Sequence, residues 1–211
     1  NLTLTGVAAN VNRWIQFVVG GTGGGNGAIT IDKVIPFTGG NATVVLNALD
    51  GLPVTNSLTA ISAKDPLHTL LKKETLGGTP NQYTATIALK GGDANNSNTV
   101  DILDYGIFAI TWNQNVGADT IIGQAGPHAD FNASGIVDTG DYTFIQFDFL
   151  SVGDSPVLGY ARQEGPKTKC TPRELAAAAK TSLKVAAMMD TNEDGWITTT
   201  EISNWLKRRQ R

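Results

Sequence analysis

A chain of 211 residues, 41% hydrophobic and 17% charged, has enough apolar material for a packed core and too little charge for a disordered one. The formal net charge of −3 gives no basic excess for nucleic acid, and no run approaches the roughly eighteen apolar residues of a membrane helix. The lone Cys170 excludes an intrachain disulfide framework. The sequence starts at Asn1 without a signal-peptide pattern, so a processed or trimmed terminus is expected.

Residues 1–90 read as β structure. Short alternating or β-branched runs occur at Leu2–Val7, Trp14–Val19, Ala28–Ile35, Ala42–Leu46, Ser57–Ala63, His68–Lys72 and Tyr83–Leu89. Glycine-rich punctuators divide them, among them Gly20–Gly25, Gly39-Gly40 and Gly77-Gly78. Such spacing predicts an antiparallel β-sandwich of immunoglobulin or fibronectin type. Gly20–Gly25 lacks the Lys-Ser/Thr of a phosphate loop and is expected to be a long hairpin turn. Trp14 and Trp112 are expected in the core rather than stacked on sugar. His68 has no nucleophile partner at motif spacing, and no carboxylate pair stands out, so catalysis is not expected.

Lys90-Gly91-Gly92 then leads into an oxygen-rich stretch whose spacing suits a hard cation. Ca²⁺ takes six to eight oxygens, and a twelve-residue loop supplies them from positions one, three, five, seven, nine and twelve. In the first loop these are Asp93, Asn95, Ser97, Thr99, Asp101 and Asp104; in the second, Asp130, Asn132, Ser134, Ile136, Asp138 and Asp141. Thr99 and Ile136 would contribute through their carbonyls. Position six must turn sharply; Gly135 does so in the second loop and Asn98, tolerant of a left-handed backbone, in the first. Mg²⁺ is the second choice, because it demands a stricter octahedron. His68, His128 and Cys170 lie outside the loops, with spacing that does not suggest zinc.

The two loops share Val at position eight, Asp at nine, Asp at twelve and an aromatic next, and an apolar helix follows each: Tyr105–Trp112 and Tyr142–Leu150. Over residues 91–153 the chain resembles the duplicated repeat of type I dockerins. The resemblance implies two antiparallel loop-helix units, each holding one Ca²⁺, that dock to a cohesin-like β-sandwich. The late loop positions depart from the family: Ile102 and Leu103 in one copy, Thr139 and Gly140 in the other, where a small hydroxyl pair is usual. The helices are greasy rather than basic, so packing within the same polypeptide is expected ahead of free cohesin binding.

Beyond a linker over 154–170, Thr171-Pro172-Arg173-Glu174 is a capping box with proline at the first helical position. Apolar residues at helical spacing continue to Met188 and Met189 and predict one helix. The third loop follows, with Asp190, Asn192, Asp194, Trp196 (by its carbonyl), Thr198 and Glu201 at the ligand positions and Gly195 at the turn. Ile202, Trp205 and Leu206 form the stripe of an exit helix. Residues 171–211 resemble an EF-hand, which ordinarily pairs through its short central strand, here Ile197. Its partner is left open: the dockerin-like pair, a neighbouring domain or another subunit.

The expected organisation is therefore α+β in several units: a β-sandwich (1–90), a dockerin-like pair (91–153), a linker (154–170) and an EF-hand (171–211). Nine of the nineteen carboxylates stand at ligand positions, and three bound Ca²⁺ would move the formal charge from −3 to +3. Calcium is thus expected as a folding ligand. Loops rich in neutral ligands suit the high calcium outside cells. The expected role is a non-catalytic bacterial protein of the cell surface, locked by up to three Ca²⁺ and engaging a protein partner. The alternatives are a self-associating fibre or surface-layer subunit and a polysaccharide-binding appendage of a secreted enzyme.

Overall fold

The computed structural model describes residues 1–21, 28–52, 58–80, 82–116, 127–157 and 165–210. Most of the turn expected at Gly20–Gly25 and part of the linker over 154–170 lie outside the described residues. The fold is mixed α and β, with several small sheets and five helices among the described residues.

The backbone of the first half is a long strand, β2 (Val11–Gly21), in which alternate residues Ile15, Phe17 and Val19 point into the core. It is flanked on one side by β3 (Ile29–Phe37) and on the other by β5 (Leu58–Lys64), which carries β6 (Lys72–Thr75) at its edge, all antiparallel. A second sheet has β1 (Leu2–Leu4) in its middle, antiparallel to β4 (Asn41–Ala42) and parallel to β9 (Ile87–Leu89). Between β6 and β9 stands a hairpin of β7 (Gly77–Thr79) and β8 (Gln82–Thr84). Leu2, Leu4, Ile87 and Leu89 of the small sheet share one core with Ile15, Phe17, Ile31, Ile35 and Ile61 of the large one.

Several expected strands are shorter or absent. The run Leu2–Val7 pairs only to Leu4, because Gly6 turns the chain at φ +83°. Tyr83–Leu89 divides between β8 and β9. His68–Lys72 is not one strand: Asp65 accepts the Leu67 N–H with its side chain (3.0 Å) and the His68 and Thr69 N–H groups with its carbonyl (3.3 and 3.1 Å), so the chain curls. β6 begins only at Lys72.

The second half contains α1 (Ile102–Thr111), α2 (Thr139–Asp148), α3 (Pro172–Ala178), α4 (Leu183–Ala187) and α5 (Thr199–Arg209). The single helix expected from Thr171 to Met189 is instead two. Lys180 sits at φ +47°, and Ser182 starts a new helix by accepting the Val185 N–H. Strand β10 (Lys169–Cys170) pairs antiparallel with β11 (Ile197–Thr198), so a segment just before α3 supplies the strand that Ile197 requires. Gly106 of α1 lets Leu175 of α3 approach the helix backbone, and Tyr105 Oη lies 2.8 Å from Ser203 Oγ of α5. A core containing Ile107, Phe108, Leu175, Ile197 and Ile202 unites these elements.

Phe144 of α2 packs against both cores. Its ring lies against Gly6 and Gly91; a Cβ on Gly91 would stand 2.5 Å from Phe144 Cδ1. Glycine is required there by close approach. No helix of the described residues is long and apolar enough to cross a membrane.

Candidate metal centre

The three oxygen-rich loops repeat one backbone. In each, positions four and six are left-handed: Asn96 and Asn98 at φ +62° and +64°... in the first loop, Ala133 and Gly135 at +62° and +86° in the second, Glu193 and Gly195 at +58° and +84° in the third. Ala133 and Glu193 gain nothing locally from such a conformation, which costs a side chain about 1 kcal/mol or more. Other contacts in the loop enforce it.

Those contacts come from the acidic residues. Asp93 accepts the Ser97 N–H at Oδ1 (3.0 Å) and the Asn98 N–H at Oδ2 (2.8 Å); Asp130 accepts the Ser134 and Gly135 N–H groups, each at 2.9 Å. Asn95 and Asn132 accept the same position-five amides at 2.9 and 2.8 Å. Ser97 and Ser134 donate their hydroxyls to the position-seven carbonyls of Thr99 and Ile136 (3.2 and 2.9 Å), which sets the fifth and seventh donors side by side. The closing residue folds back over the start of the loop. Asp104 accepts the Ala94, Asn95 and Asp101 N–H groups at 2.8, 3.1 and 2.8 Å; Asp141 accepts those of Asn132 and Asp138, both at 3.0 Å. In the third loop Glu201 accepts the Thr191 and Thr198 N–H groups at 3.1 and 3.0 Å, and Asp190 accepts that of Gly195 at 3.0 Å.

Position nine behaves differently from the others. Asp101 and Asp138 turn their carboxylates onto the amides of Leu103 (2.8 Å) and Gly140 (2.7 Å), where they cap α1 and α2. In the third loop Thr198 takes that capping place for α5. Each of the first two loops therefore offers two inward carboxylates among neutral oxygens. Accordingly, no group of three or more His, Cys, Asp or Glu side chains converges as a metal cluster among the described residues. A donor set of carboxylate, amide, hydroxyl and carbonyl oxygens suits a hard cation rather than zinc.

Electrostatics set the loops against themselves. Burial raises the Asp104 carboxyl well above the ordinary range, and the nearby Asp93 and Asp101 charges raise it further. Asp141 is pushed up to about 6 by burial first, then by hydrogen-bond-opposed repulsion from Asp130 and Asp138. Burial also lifts Asp101 and Asp93, the latter against the pull of Lys64. Glu201 is lowered: burial opposes ionisation there, and the Thr198 and Thr191 hydrogen bonds together outweigh it. One atom tests the fit to a cation directly. Asp190 Oδ1 is buried without any hydrogen-bond partner, an acceptor that a metal ion would satisfy.

Two residues that the spacing of acidic side chains does not reveal reach the loops from the β half. Lys64, at the end of β5, donates from Nζ to Asp93 Oδ2 at 2.7 Å. Arg13 of β2 donates from Nη2 to the Asp130 carbonyl at 2.8 Å, and its Nη1 lies 2.7 Å from His68 Nδ1. Asp65, held below its usual range by His68 and Arg13 despite its burial, anchors that cluster. The sequence signal for Arg13 and Lys64 is weak: a basic residue near the start of β2 and one at the end of β5.

No protein-family model matches the chain, and a search of curated proteins finds no match.

Proposed function

We propose that this chain is a non-catalytic, calcium-locked structural and assembly protein of the bacterial cell surface. Its parts would be a β-sandwich, a dockerin-like loop-helix pair and an EF-hand, with one Ca²⁺ per loop. Asp93, Asn95, Ser97, Thr99, Asp101 and Asp104 would serve the first ion. Asp130, Asn132, Ser134, Ile136, Asp138 and Asp141 would serve the second, and Asp190, Asn192, Asp194, Trp196, Thr198 and Glu201 the third. Asp101, Asp138 and Thr198 would act through water, since their oxygens cap helices.

The observation that carries the reading is the shared loop conformation, left-handed at positions four and six in all three copies. The partnerless Asp190 Oδ1 supports it independently. An extracellular setting is favoured by ligand sets rich in neutral oxygens, which suit weak sites kept filled by abundant calcium. In this reading the β half serves as the partner of the loop-helix pair, through Phe144, Lys64 and Arg13, so the pair's apolar face is not left for a cohesin.

Titration calorimetry of protein stripped with EGTA tests the proposal: calcium uptake should approach three ions per chain, with melting temperature rising in step. Uptake of none refutes it. A second reading, a self-associating fibre subunit, is favoured by Phe147, 84% exposed on α2, with Leu150 47% and Val152 50% exposed just beyond it. Size-exclusion chromatography at high concentration decides: a strict monomer, with and without EGTA, excludes the fibre.

A further inference from the structure

The first and second loops have nearly the same internal hydrogen bonds, yet the β half grips them in unlike ways. On the second loop Arg13 meets a neutral group, the Asp130 carbonyl, and the Asp130 carboxylate is met by backbone amides. On the first loop a full positive charge sits on the position-one carboxylate itself. Lys64 Nζ lies 2.7 Å from Asp93 Oδ2, and the side chains are 9% and 0% exposed. A buried ammonium is costly unless paired, and so is a buried carboxylate. Asp93 Oδ1 accepts the Ser97 N–H, and Oδ2 accepts the Asn98 N–H together with Lys64 Nζ. The ammonium therefore shares its carboxylate oxygen with a loop amide.

We propose that Lys64 is an internal counter-ion that sets the calcium affinity of the first loop. This rests on the calcium reading of the loops and adds to it a residue from outside them. Without a divalent ion, Lys64 neutralises Asp93 and holds the loop in its binding shape. With Ca²⁺ bound, the same ammonium shares the carboxylate with the ion and repels it through little screening solvent. Lys64 therefore trades affinity for a preformed loop. The first site is the weakest of the three and the least changed by calcium.

The test uses the whole chain carrying Lys64→Met, which keeps the aliphatic stem, and Lys64→Gln, which keeps a hydrogen bond to Asp93 while removing the charge. The amides of Asn98, Gly135 and Gly195, one at position six of each loop, report the three sites separately in a two-dimensional NMR calcium titration. The expected result is a first site tighter by about tenfold or more in both variants, with the other two sites within about twofold of wild type. Melting in EGTA should fall at the same time. If Lys64→Met does not fold without calcium, Lys64→Gln carries the affinity measurement. First-site affinity that is unchanged or weaker overturns the proposal and leaves Lys64 a plain structural ion pair. A wild-type Asn98 amide that never responds to calcium overturns the calcium reading of that loop as well, and Asp104→Ala then also changes nothing in the titration.

Discussion

The first and third loops follow one backbone pattern and are held in it by different means. The first is buried and tied from outside at every level. Asn98 Oδ1 accepts the Leu71 N–H and Asn98 Nδ2 donates to the Asp154 carbonyl at 3.1 Å. The Val100 and Gly153 amides donate to the Ser151 and Asn98 carbonyls, both at 2.9 Å, and Lys64 neutralises Asp93. The third is exposed from Thr191 to Trp196. Its outside ties are the two-residue pairing of β10 with β11 and the Lys169 ammonium 4.3 Å from the Trp196 ring centre. A metal-binding loop can thus be shaped by its protein or by its ion, and the difference teaches where ion removal will be felt.

The most severe way to probe that difference is at position twelve. In saturating calcium, Asp104→Ala should cost about 3–5 kcal/mol in denaturant unfolding, because two buried amides and a part-buried one lose their acceptor. Glu201→Ala should cost about 1–2 kcal/mol in EGTA and more in calcium, since its role is then chiefly to close on the ion. Equal losses under both conditions would erase the distinction between a braced loop and an ion-shaped one.

A smaller effect comes from pH, through the second loop. The folded Asp141 carboxyl titrates near 6 against an ordinary 3.8. A raised carboxyl gives stability that is complete below the unfolded value and is lost as pH rises through the folded one. Metal-free protein should therefore lose on the order of 2 kcal/mol between pH 4 and 7. Calcium-loaded protein should show the reverse trend, with second-site affinity falling below about pH 6 as Asp141 takes a proton. Parallel pH curves with and without calcium contradict this.

Next in size, Ala133→Gly should stabilise the protein by about 1 kcal/mol, because only the second loop forces alanine to φ +62°. The smallest expected effect concerns Cys170, whose thiol is buried and pushed up to about 12 by that burial. Because Cys170 pairs with Ile197 of the third loop, alkylation should be slow in calcium and accelerate several-fold in EGTA. Unchanged labelling would mean that the third loop stays closed without its ion.

Much of this could be read from the residues. Gly135 and Gly195 announced left-handed turns, and Asn98 fills the same place at +64° as its chemistry allows. The capping box at Thr171 stands where Ser/Thr-x-x-Glu spacing puts it, and Thr198, read as a ninth-position ligand, proves to form a second one with Glu201. The run of β2 was legible, but Trp14, expected in the core, stands on its half-buried outer face, where Nε1 donates to Asp32 Oδ1 at 2.9 Å. Non-local ties escaped. Lys64 meets Asp93 across 29 residues, and nothing in either neighbourhood specifies the other. The break at Lys180 was hidden because Ala176–Lys180 are all good helix formers, and packing of α3 against α1 overrides their propensity. The curl at Asp65 had a local signal in Asp65-Pro66, a turn-favouring pair, which the apolar residues from Leu67 to Leu71 obscured.

The glycines against Phe144 and the lysine on Asp93 have a practical consequence for cutting and pasting this molecule. A fragment beginning at residue 91 would strip Gly6 from one side of a large ring and leave an acid without its base. Fusing that fragment to a reporter, as one would a detachable tag, should yield an insoluble product unless the strands upstream are supplied with it.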